Sequence, residues 1–409
     1  MKLKSLKEIK SLKGKKVLLR VAYDVPLKQE GKKWVVADDR RIRETLPTIR
    51  YLLKNNCKIV ILSWLGRPGG QKVEKLKMDP VTKALAKILK QPVKKIDDCV
   101  GPKVFSEIQK LKGKQILMLE NVRFYPQEEE NSKIFAKLLV SGMDLIVFDA
   151  FAQAHRIHAS TTGITKLLPT YAGFLLEKEI KALSQITKTP KRPLVVILGG
   201  AKISDKIAVI SELVKVADKI LIGGGSANVF LKANKVPIGQ SFVQDVFVDK
   251  AKRKKINFVN LAADLYRKNK DKIILPVDLI AGNKIDPHAL VETIDLEKGQ
   301  KIDSRWLFLD IGPKTIANYL VAIKRANTIF FNGPMGVFEM DKFSFGTKKI
   351  AEAVARSKGI TVIGGGDTEV VAAKYKIEDK ISHISTGGGA SLEFLAGKEL
   401  PALKSIIKK

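Results

Sequence analysis

The sequence predicts an α/β protein with two similar-sized domains, each built on a mostly parallel sheet with helices on both faces and joined by a hinge helix. Three observations support this prediction. Short apolar runs alternate along the whole chain with longer segments of helical spacing, a pattern typical of βαβ units. The 409 residues exceed the size of one ordinary hydrophobic core. Arginines follow the apolar runs of the first half, whereas glycines follow those of the second half.

Four apolar runs in the first half predict buried strands of a parallel sheet. They cover residues 17–22, 58–63, 115–119 and 144–148. Helical spacing separates them, most clearly at residues 42–53 and 80–89. Because ligands of such sheets bind beyond the carboxyl ends of the strands, the residues after each strand are candidate site residues.

Arginines stand at these predicted strand ends or at the start of the next helix: Arg41, Arg67, Arg123 and Arg156. Guanidinium groups suit carboxylates and phosphates, so several at one edge indicate a small ligand with two anionic ends. His155 and His158 share a loop with Arg156. An H-x-x-H pair can bind a metal, but no third ligand accompanies it, and hydrogen bonding to an anion or simple packing explains it better.

The chain leaves the first half through residues 163–183, whose apolar spacing predicts a long helix after Pro169. Pro190 and Pro193 then interrupt the pattern. We therefore predict an N-terminal domain at 1–165, a hinge helix at 166–188 and a C-terminal domain at 189–391.

The second half opens with a predicted strand at 194–198, followed by Gly199 and Gly200. Ile203, Ile207 and Ile210 then recur at helical spacing, which places Lys202 and Lys206 together on another face of a predicted helix. A helix start with two cations indicates a phosphate site. The alternative is an ordinary surface helix with solvated lysines.

Glycine loops follow three further apolar runs, at residues 223–228, 332–339 and 364–371. Such loops let the backbone approach phosphates and a flat base. We predict that Thr368 or Asp367 caps the helix after the last loop. Asp367 also suits a magnesium ion, although it can equally serve as a cap alone. The loops match neither the Walker P-loop nor the dinucleotide fingerprint.

A net charge of +32 is compatible with nucleic acid, an acidic membrane surface or small anionic substrates as partners. The lysines are dispersed and no RNA-binding signature appears, which argues against specific nucleic-acid binding. The densest basic run, KAKRKK at 250–255, is predicted to be a solvated helix end.

No apolar run approaches the roughly 18 residues of a membrane helix. The N-terminus is a poor signal peptide, and Cys57 and Cys99 are expected to be unpaired, which fits a cytoplasmic location.

The same segments resemble the phosphoglycerate kinase family, in the family's order and over nearly the whole chain. The N-terminal blocks are KVLLRVAYDVPL, RRIRETLPTI, SWLGRP, LENVRFYPQEEEN and DAFAQAHRIHAS. The C-terminal blocks include VILGGAKISDKI, IGGGSANVFL, LDIGPKT, FNGPMGVFE and GGGDTEVVAA. The resemblance implies two domains about a hinge, a C-terminal segment (392–409) that packs back on the first domain, and a monomer.

The resemblance also implies Mg²⁺-dependent phosphoryl transfer between ATP and the carboxylate of 3-phosphoglycerate, as in glycolysis. Lys202, Lys206 and Arg41 would assist transfer together with Gly365 and Gly366. The acceptor would be held by Asp24, Arg41, Trp64, Arg67, Arg123, His155, Arg156 and His158. The nucleotide would contact Gly199, Gly200, Ala201, Lys202, Lys206, Gly223, Gly224, Asn332, Pro334, Glu339, Gly365, Gly366, Asp367 and Thr368. Asp367 would face the magnesium ion and Glu339 the ribose.

Three positions depart from the family pattern, all of them in the acceptor half. The family motif R-V-D-x-N-V-P corresponds to residues 20–26, where Ala22 replaces the aspartate and Asp24 replaces the asparagine. The family motif S-H-L-G-R-P corresponds to residues 63–68, where Trp64 replaces the histidine. Our hypothesis is that Asp24 takes over part of the missing aspartate's hydrogen bonding to the glycerate hydroxyl. Two alternatives follow: a relative that phosphorylates another phosphorylated carboxylic acid, or a basic nucleotide- or RNA-binding protein on the same fold.

Overall fold

The computed structural model describes residues 1–249, 254–299 and 302–408. The chain forms two compact units, one of Met1–Lys181 with Glu399–Lys409 and the other of Ala182–Lys398. Among the described residues, none of the helices combines the length and the apolar character that crossing a bilayer requires.

The first unit is built on a six-stranded sheet in which every neighbouring pair is parallel. Its spatial order is Lys94–Lys95, Ile116–Met118, Lys58–Leu62, Lys16–Val21, Leu145–Asp149 and Thr170–Ala172. Alternate residues of the central strand join different clusters. Leu19 packs in a cluster on one face, and Leu18 packs in a second cluster on the other. The sheet is thus buried on both faces, which explains why its strands are continuous apolar runs.

Helices cover this sheet at Arg40–Glu44, Leu46–Lys54, Asp79–Leu89, Pro102–Lys110, Pro126–Glu129, Lys133–Leu139 and Phe174–Thr187. A small hairpin, Leu27–Glu30 with Lys33–Val36, projects after the first strand. The predicted single helix at 42–53 is wrong, because two helices meet at Thr45. Pro47 has no N–H to donate to the carbonyl of Arg43, so the first helix cannot continue through it.

The long helix begins later than predicted. Residues 166–173 do not belong to this helix, because Thr170–Ala172 forms the edge strand beside Leu145–Asp149. The helix spans Phe174–Thr187, and the N–H of Leu176 in its first turn donates to the Asp149 carboxylate at 2.9 Å. The boundary between the units falls inside this helix. Its role as a hinge remains a prediction.

The C-terminal residues run beside the N-terminus within the first unit. Lys4 N–H donates to the carbonyl of Ile406 at 2.8 Å, and Lys408 N–H donates to the carbonyl of Lys2 at 3.0 Å. Ala402 N–H reaches the carbonyl of Ala154 at 3.1 Å, beside the loop that carries His155 and Arg156. Residues 392–398 belong to the second unit, at and after the helix Gly389–Leu395.

The second unit has its own six-stranded parallel sheet. The order is Ile273–Ile274, Lys219–Ile222, Leu194–Leu198, Thr328–Asn332, Ile360–Gly364 and His383–Ser385. A three-stranded antiparallel sheet of Val291–Asp295, Asp278–Gly282 and Leu307–Ile311 accompanies it. Both parallel sheets confirm the predicted fold class.

Helices of the second unit lie at Ile207–Leu213, Gly224–Ala233, Phe258–Lys268, Pro313–Arg325, Phe345–Arg356, Gly366–Lys374 and Gly389–Leu395. Val246–Asp249 and Lys254–Asn257 form a hairpin. Most of the KAKRKK run, at 250–253, lies outside the described residues. Its last two lysines, Lys254 and Lys255, open a strand rather than end a helix.

Candidate active site

Three loops at the carboxyl edge of the first sheet are tied together by backbone oxygens and a carboxylate. The Arg41 guanidinium donates to the carbonyl of Asp24 at 2.7 Å. The Asp24 carboxylate accepts from the N–H of Gly66 at 2.8 Å. Arg123 donates from Nη1 to the carbonyl of Gly66 at 2.7 Å. The structure therefore brings Asp24, Arg41 and Arg123 to one place, each held by the chain around it.

Arg123 is 7% exposed and sits in the 3₁₀ turn Val122–Phe124. Its Nε lies 3.2 Å from the Glu129 carboxylate, and its Cζ lies 4.1 Å from the centroid of the Trp64 ring. Burial lowers the pKa of the Arg123 guanidinium, while the carboxylates of Glu129 and Asp24 act in the opposite direction. An anion bound beside it would relieve that cost of burial.

Arg20 is a neighbour of the site that the sequence analysis did not select. It is completely buried on the central strand, and its Nε donates to the carbonyl of Ser160 at 2.9 Å and to its hydroxyl at 3.1 Å. Burial lowers the pKa of Arg20 to about 9, and Glu128 partly opposes this shift. A charged residue inside an apolar strand is the signal that could have identified it.

Glu128 was also missed, because the run EEE at 128–130 looks like an ordinary solvated surface. In the structure it is fully buried, and its two oxygens accept from the Ser160 N–H at 2.8 Å and the Ser160 hydroxyl at 2.6 Å. His158 Nδ1 lies 3.7 Å from the same carboxylate. Ser160 thus links a buried anion, Glu128, to a buried cation, Arg20.

The remaining predicted acceptor residues differ in exposure. Arg67 and Arg156 are exposed, whereas His155 and His158 are half-buried. Burial, with smaller contributions from Arg156 and His158, lowers the pKa of His155 to about 4, so this imidazole is neutral at pH 7. Exposed guanidinium groups beside the Arg41 and Arg123 cluster can reorient toward an incoming anion.

Among the residues that the structure describes, neither His155 nor His158 belongs to a group of three metal-binding side chains. Within the described part of the chain, one cluster of carboxylates has metal-like spacing: Asp79, Asp97 and Glu120. Lys95 already fills its centre, with Nζ 2.8 Å from Asp79 and 2.7 Å from Glu120 and also paired with Asp97. This cluster is an ion-pair network around Lys95, buried at Glu120 and open to solvent at Asp97.

In the second unit, the predicted glycine loops meet at the carboxyl ends of adjacent strands. Gly200 N–H donates to the carbonyl of Pro334 at 2.7 Å, and Gly224 N–H donates to the carbonyl of Met335 at 2.9 Å. Asn332 Nδ2 donates to the carbonyl of Gly364 at 2.6 Å. The four loops that the sequence singled out therefore form one continuous surface of backbone.

Close packing of these loops requires glycine. A Cβ on Gly199 would lie 2.0 Å from the carbonyl oxygen of Pro334. Gly365 has φ +94°, and its Cβ would lie 2.5 Å from Asn332 Nδ2. At both positions a side chain would push the neighbouring loops apart, so glycine is what allows them to pack this closely.

Lys206 occupies the centre of this surface. It is 8% exposed, and its Nζ lies 3.4 Å from the point where a Cβ on Gly200 would stand. Burial lowers the pKa of the Lys206 ammonium, and the carboxylates of Asp205 and Asp367 offset part of that shift. A buried cation with no direct ion pair among the described residues is well suited to bind an anionic ligand.

The shared helical face predicted for Lys202 and Lys206 is wrong. Ile203–Asp205 forms a 3₁₀ turn, and the α-helix begins at Ile207, so both lysines precede it. Lys202 is exposed at the start of the 3₁₀ turn, and Ala201 beside it is exposed as well. Both lysines still lie next to the same glycine loop, but their positions are not set by a shared face of the helix.

The predicted cap of the helix Gly366–Lys374 is also wrong. Gly365 occupies the N-cap position, and no side chain caps the helix. Thr368 is buried and accepts from the Gly333 N–H at 2.6 Å, whereas Asp367 is exposed in the first turn. Within the described part of the chain, nothing accepts from the N–H groups of Gly366 and Asp367, and unpaired N–H groups in the first turn of a helix can bind an anion. Glu339 is exposed at the end of the loop 332–339.

Comparison with known proteins agrees with this geometry. The family model for phosphoglycerate kinase matches residues 6–398. The phosphoglycerate kinase of Rubrobacter xylanophilus is 45% identical over 392 residues, which cover 96% of this chain and 95% of that protein. That of Pseudothermotoga lettingae is 45% identical over 409 residues and covers 100% of both chains.

Solved structures show the same likeness. The phosphoglycerate kinase of Coxiella burnetii superposes with a TM-score of 0.85 at 35% identity, covering 99% of this chain and 98% of that chain. The enzyme of Pyrococcus horikoshii superposes with a TM-score of 0.82 at 33% identity, covering 98% of each. The chain therefore belongs to the phosphoglycerate kinase family, whose members are phosphotransferases with a carboxyl group as acceptor.

Proposed function

We propose that this chain catalyses reversible phosphoryl transfer between ATP and the carboxylate of 3-phosphoglycerate. The observation that carries the proposal is the buried Lys206 ammonium beside the glycine loops, together with the arginine cluster on the first sheet. Each unit thus offers a cationic site at the carboxyl edge of a parallel sheet, which suits two anionic substrates.

The acceptor needs no general base, because its carboxylate is already ionised near neutral pH. Arg41 and Arg123 would bind its anionic groups, and the exposed Arg67 and Arg156 would add further contacts. Asp24 would accept a hydrogen bond from the glycerate hydroxyl. Catalysis then consists of alignment and charge neutralisation rather than proton transfer.

The nucleotide phosphates would lie on the backbone of Gly365 and Gly366 and beside the Gly199 and Gly200 loop, whose own N–H groups donate to the carbonyls of Asn332 and Pro334. Lys206 and Lys202 would stand next to them. Lys206 would stabilise the transferring group, because a partly desolvated ammonium interacts more strongly with the charge that develops there. Glu339 is exposed and would accept hydrogen bonds from the ribose hydroxyls.

The residues present fit a magnesium ion bound with the nucleotide. Asp367 offers an exposed carboxylate in the first turn of Gly366–Lys374, and its charge acts on Lys206. Mg²⁺ prefers one or two carboxylate oxygens together with phosphate oxygens and water. Bound there, it would neutralise charge on the phosphates.

A coupled assay tests the proposal. The protein receives Mg-ATP and 3-phosphoglycerate, and a dehydrogenase with NADH reports 1,3-bisphosphoglycerate as it forms. We expect turnover that disappears in Lys206→Ala. ATP binding without turnover would instead support a kinase for another phosphorylated carboxylic acid. Salt-dependent retention on RNA without kinase activity would support the nucleic-acid alternative.

We further propose that the protein acts as a monomer in the cytoplasm. Cys57 and Cys99 are both buried free thiols, which fits a reducing compartment. Size-exclusion chromatography with light scattering at a mass near 45.2 kDa would support the monomer.

A further inference from the structure

Trp64 is the departure from the family pattern with the most unusual surroundings. It follows the strand Lys58–Leu62 and is 2% exposed. The guanidinium carbons of Arg123 and Arg20 lie over its ring, 4.1 Å and 4.5 Å from the centroid. The ring of His158 lies 5.2 Å away, centroid to centroid. The indole therefore packs against two guanidinium groups and an imidazole.

The two arginines are held differently. Arg20 is completely buried and donates to Ser160 and to the carbonyl of Val21, while its Nη2 has no hydrogen-bond partner among the described residues. The Ser160 hydroxyl also donates to Glu128, whose charge balances that of Arg20. Arg123 donates once, from Nη1 to the carbonyl of Gly66, and faces Glu129 with Nε. Its Nη2 makes no hydrogen bond to any residue that the structure describes. That edge of the guanidinium is available to a ligand.

An indole suits this position for a physical reason. Its flat, electron-rich face attracts a guanidinium, and stacking leaves the in-plane N–H donors free for an anion. An imidazole offers a smaller face and becomes a third cation when protonated. Replacing histidine with tryptophan therefore removes a side chain that could bind the ligand and adds a ring that stacks on the Arg123 guanidinium.

We propose that Trp64 is a positioning residue of the acceptor site, whose ring holds the Arg123 guanidinium with its free Nη2 directed to an anionic group of the acceptor. The inference rests on the proposed function, since it assumes that the acceptor is an anion such as 3-phosphoglycerate. Trp64 then acts on the acceptor through Arg123 and not by touching it.

The first test compares Trp64→Leu with Trp64→Phe. Loss of the stacked ring in Trp64→Leu should raise KM for 3-phosphoglycerate by roughly 5- to 30-fold, with kcat changed by less than about twofold. Trp64→Phe retains an aromatic face and should raise KM by less than about threefold. Trp306→Leu removes an indole from the second unit and is the matched control, with no expected change in KM. An unchanged or lower KM in Trp64→Leu would overturn the proposal, the latter by showing that Trp64 crowds the site.

The second test is a double-mutant cycle with Arg123→Gln. If Trp64 acts through Arg123, Trp64→Leu should add little to the KM of the Arg123→Gln protein, so the two effects are not additive. An equal rise in both backgrounds would overturn the proposal, because Trp64 would then act independently. If Trp64→Leu does not fold, Trp64→Phe completes the same cycle with a smaller factor.

A calorimetric titration with 3-phosphoglycerate alone separates this inference from the proposed function. Binding that weakens in Trp64→Leu but not in Trp306→Leu supports the role of Trp64, even if the unaltered protein shows no turnover. If the protein turns over 3-phosphoglycerate and KM is the same in Trp64→Leu as in the unaltered protein, the result supports the kinase and contradicts the inference.

Discussion

The hydroxyl of Thr368 accepts a hydrogen bond from the N–H of Gly333 at 2.6 Å. This bond joins the turn after the strand Thr328–Asn332 to the first turn of the helix Gly366–Lys374. Asn332, at the end of the strand Thr328–Asn332, adds a second bond between the same two segments, because its Nδ2 donates to the carbonyl of Gly364 at 2.6 Å. The third and fourth glycine loops are therefore one hydrogen-bonded unit, and the proposed phosphate site depends on both.

Thr368→Val should weaken both stability and nucleotide binding. Valine keeps the shape of the buried side chain but leaves the Gly333 N–H without its acceptor, at a cost of about 1–3 kcal/mol. Urea unfolding measures the stability, and calorimetry with ADP measures the affinity. Thr361→Val is the matched control, since the Thr361 hydroxyl bonds to Ser382 on the edge of the sheet. It should lower stability alone, and equal losses of ADP affinity in both variants would contradict the prediction.

Lys206→Met should abolish most activity and yet stabilise the protein. Removing a charge that acts on the transferring group should lower kcat by roughly 10²- to 10³-fold. Because burial lowers the pKa of Lys206, the folded state disfavours its charged form. That penalty is complete below the folded pKa and declines to zero as the pH rises from the folded pKa to the higher unfolded pKa, so removing the charge with methionine should stabilise the protein at pH 7.

Lys215→Met provides the control for this prediction, because Lys215 is an exposed lysine paired with Glu212 on the same segment of chain. It should change neither kcat nor the urea midpoint appreciably. A Lys206→Met protein that is inactive but less stable than the unaltered one would show that Lys206 contributes to folding, contrary to the prediction.

The sequence predicted those elements whose ends are set by neighbouring residues such as proline and glycine. The strand Leu194–Leu198 was predicted at both ends, because an apolar run lies between Pro193 and Gly199. The turn at Lys202 was not, since Ile203, Ile207 and Ile210 have the same spacing in one helix as in a 3₁₀ turn followed by a helix. Apolar spacing reports which side is buried and not which hydrogen bonds form.

The parts of the site that sequence reasoning missed depend on contacts between distant segments. Glu128 is buried only because Ser160, 32 residues later, supplies two donors to its carboxylate. Arg20, which was also missed, lies over the ring of Trp64, a residue that the sequence did predict. No spacing rule places these groups together, whereas the glycine loops could be found because each one follows its strand directly.

Ala22→Asp should tighten the binding of 3-phosphoglycerate. Asp24 already spends one carboxylate oxygen on the Gly66 N–H, so only its second oxygen remains for the glycerate hydroxyl. A full charged hydrogen bond is worth about 1.5–3 kcal/mol, or roughly 10- to 150-fold in KM, and because Asp24 already supplies part of it the gain from a carboxylate at position 22 should be smaller. Ala22→Asn, which adds a neutral amide of similar size, should give a smaller gain. An unchanged KM in Ala22→Asp would show that Asp24 already compensates fully.

Asp310→Asn should remove a pH dependence of stability from the second unit. Asp310 is 3% exposed, and its oxygens accept from the N–H groups of Ile311 at 2.9 Å and Gly346 at 2.7 Å. Burial raises the pKa of this carboxyl to about 7. The folded state therefore binds a proton that the unfolded state releases between about pH 4 and pH 7, and stability falls as the pH rises through that window.

The asparagine variant cannot titrate, so the difference in free energy of unfolding between the unaltered protein and Asp310→Asn should shrink as the pH rises. The total change should be on the order of 4 kcal/mol. Asparagine also presents an N–H₂ group to one of the two backbone donors, so the variant should be the less stable protein at pH 4. Urea titrations at pH 4, 6 and 8 measure the difference directly. A constant difference across these three values would mean that Asp310 is ionised throughout, and that the two backbone donors stabilise its charge well enough to offset burial.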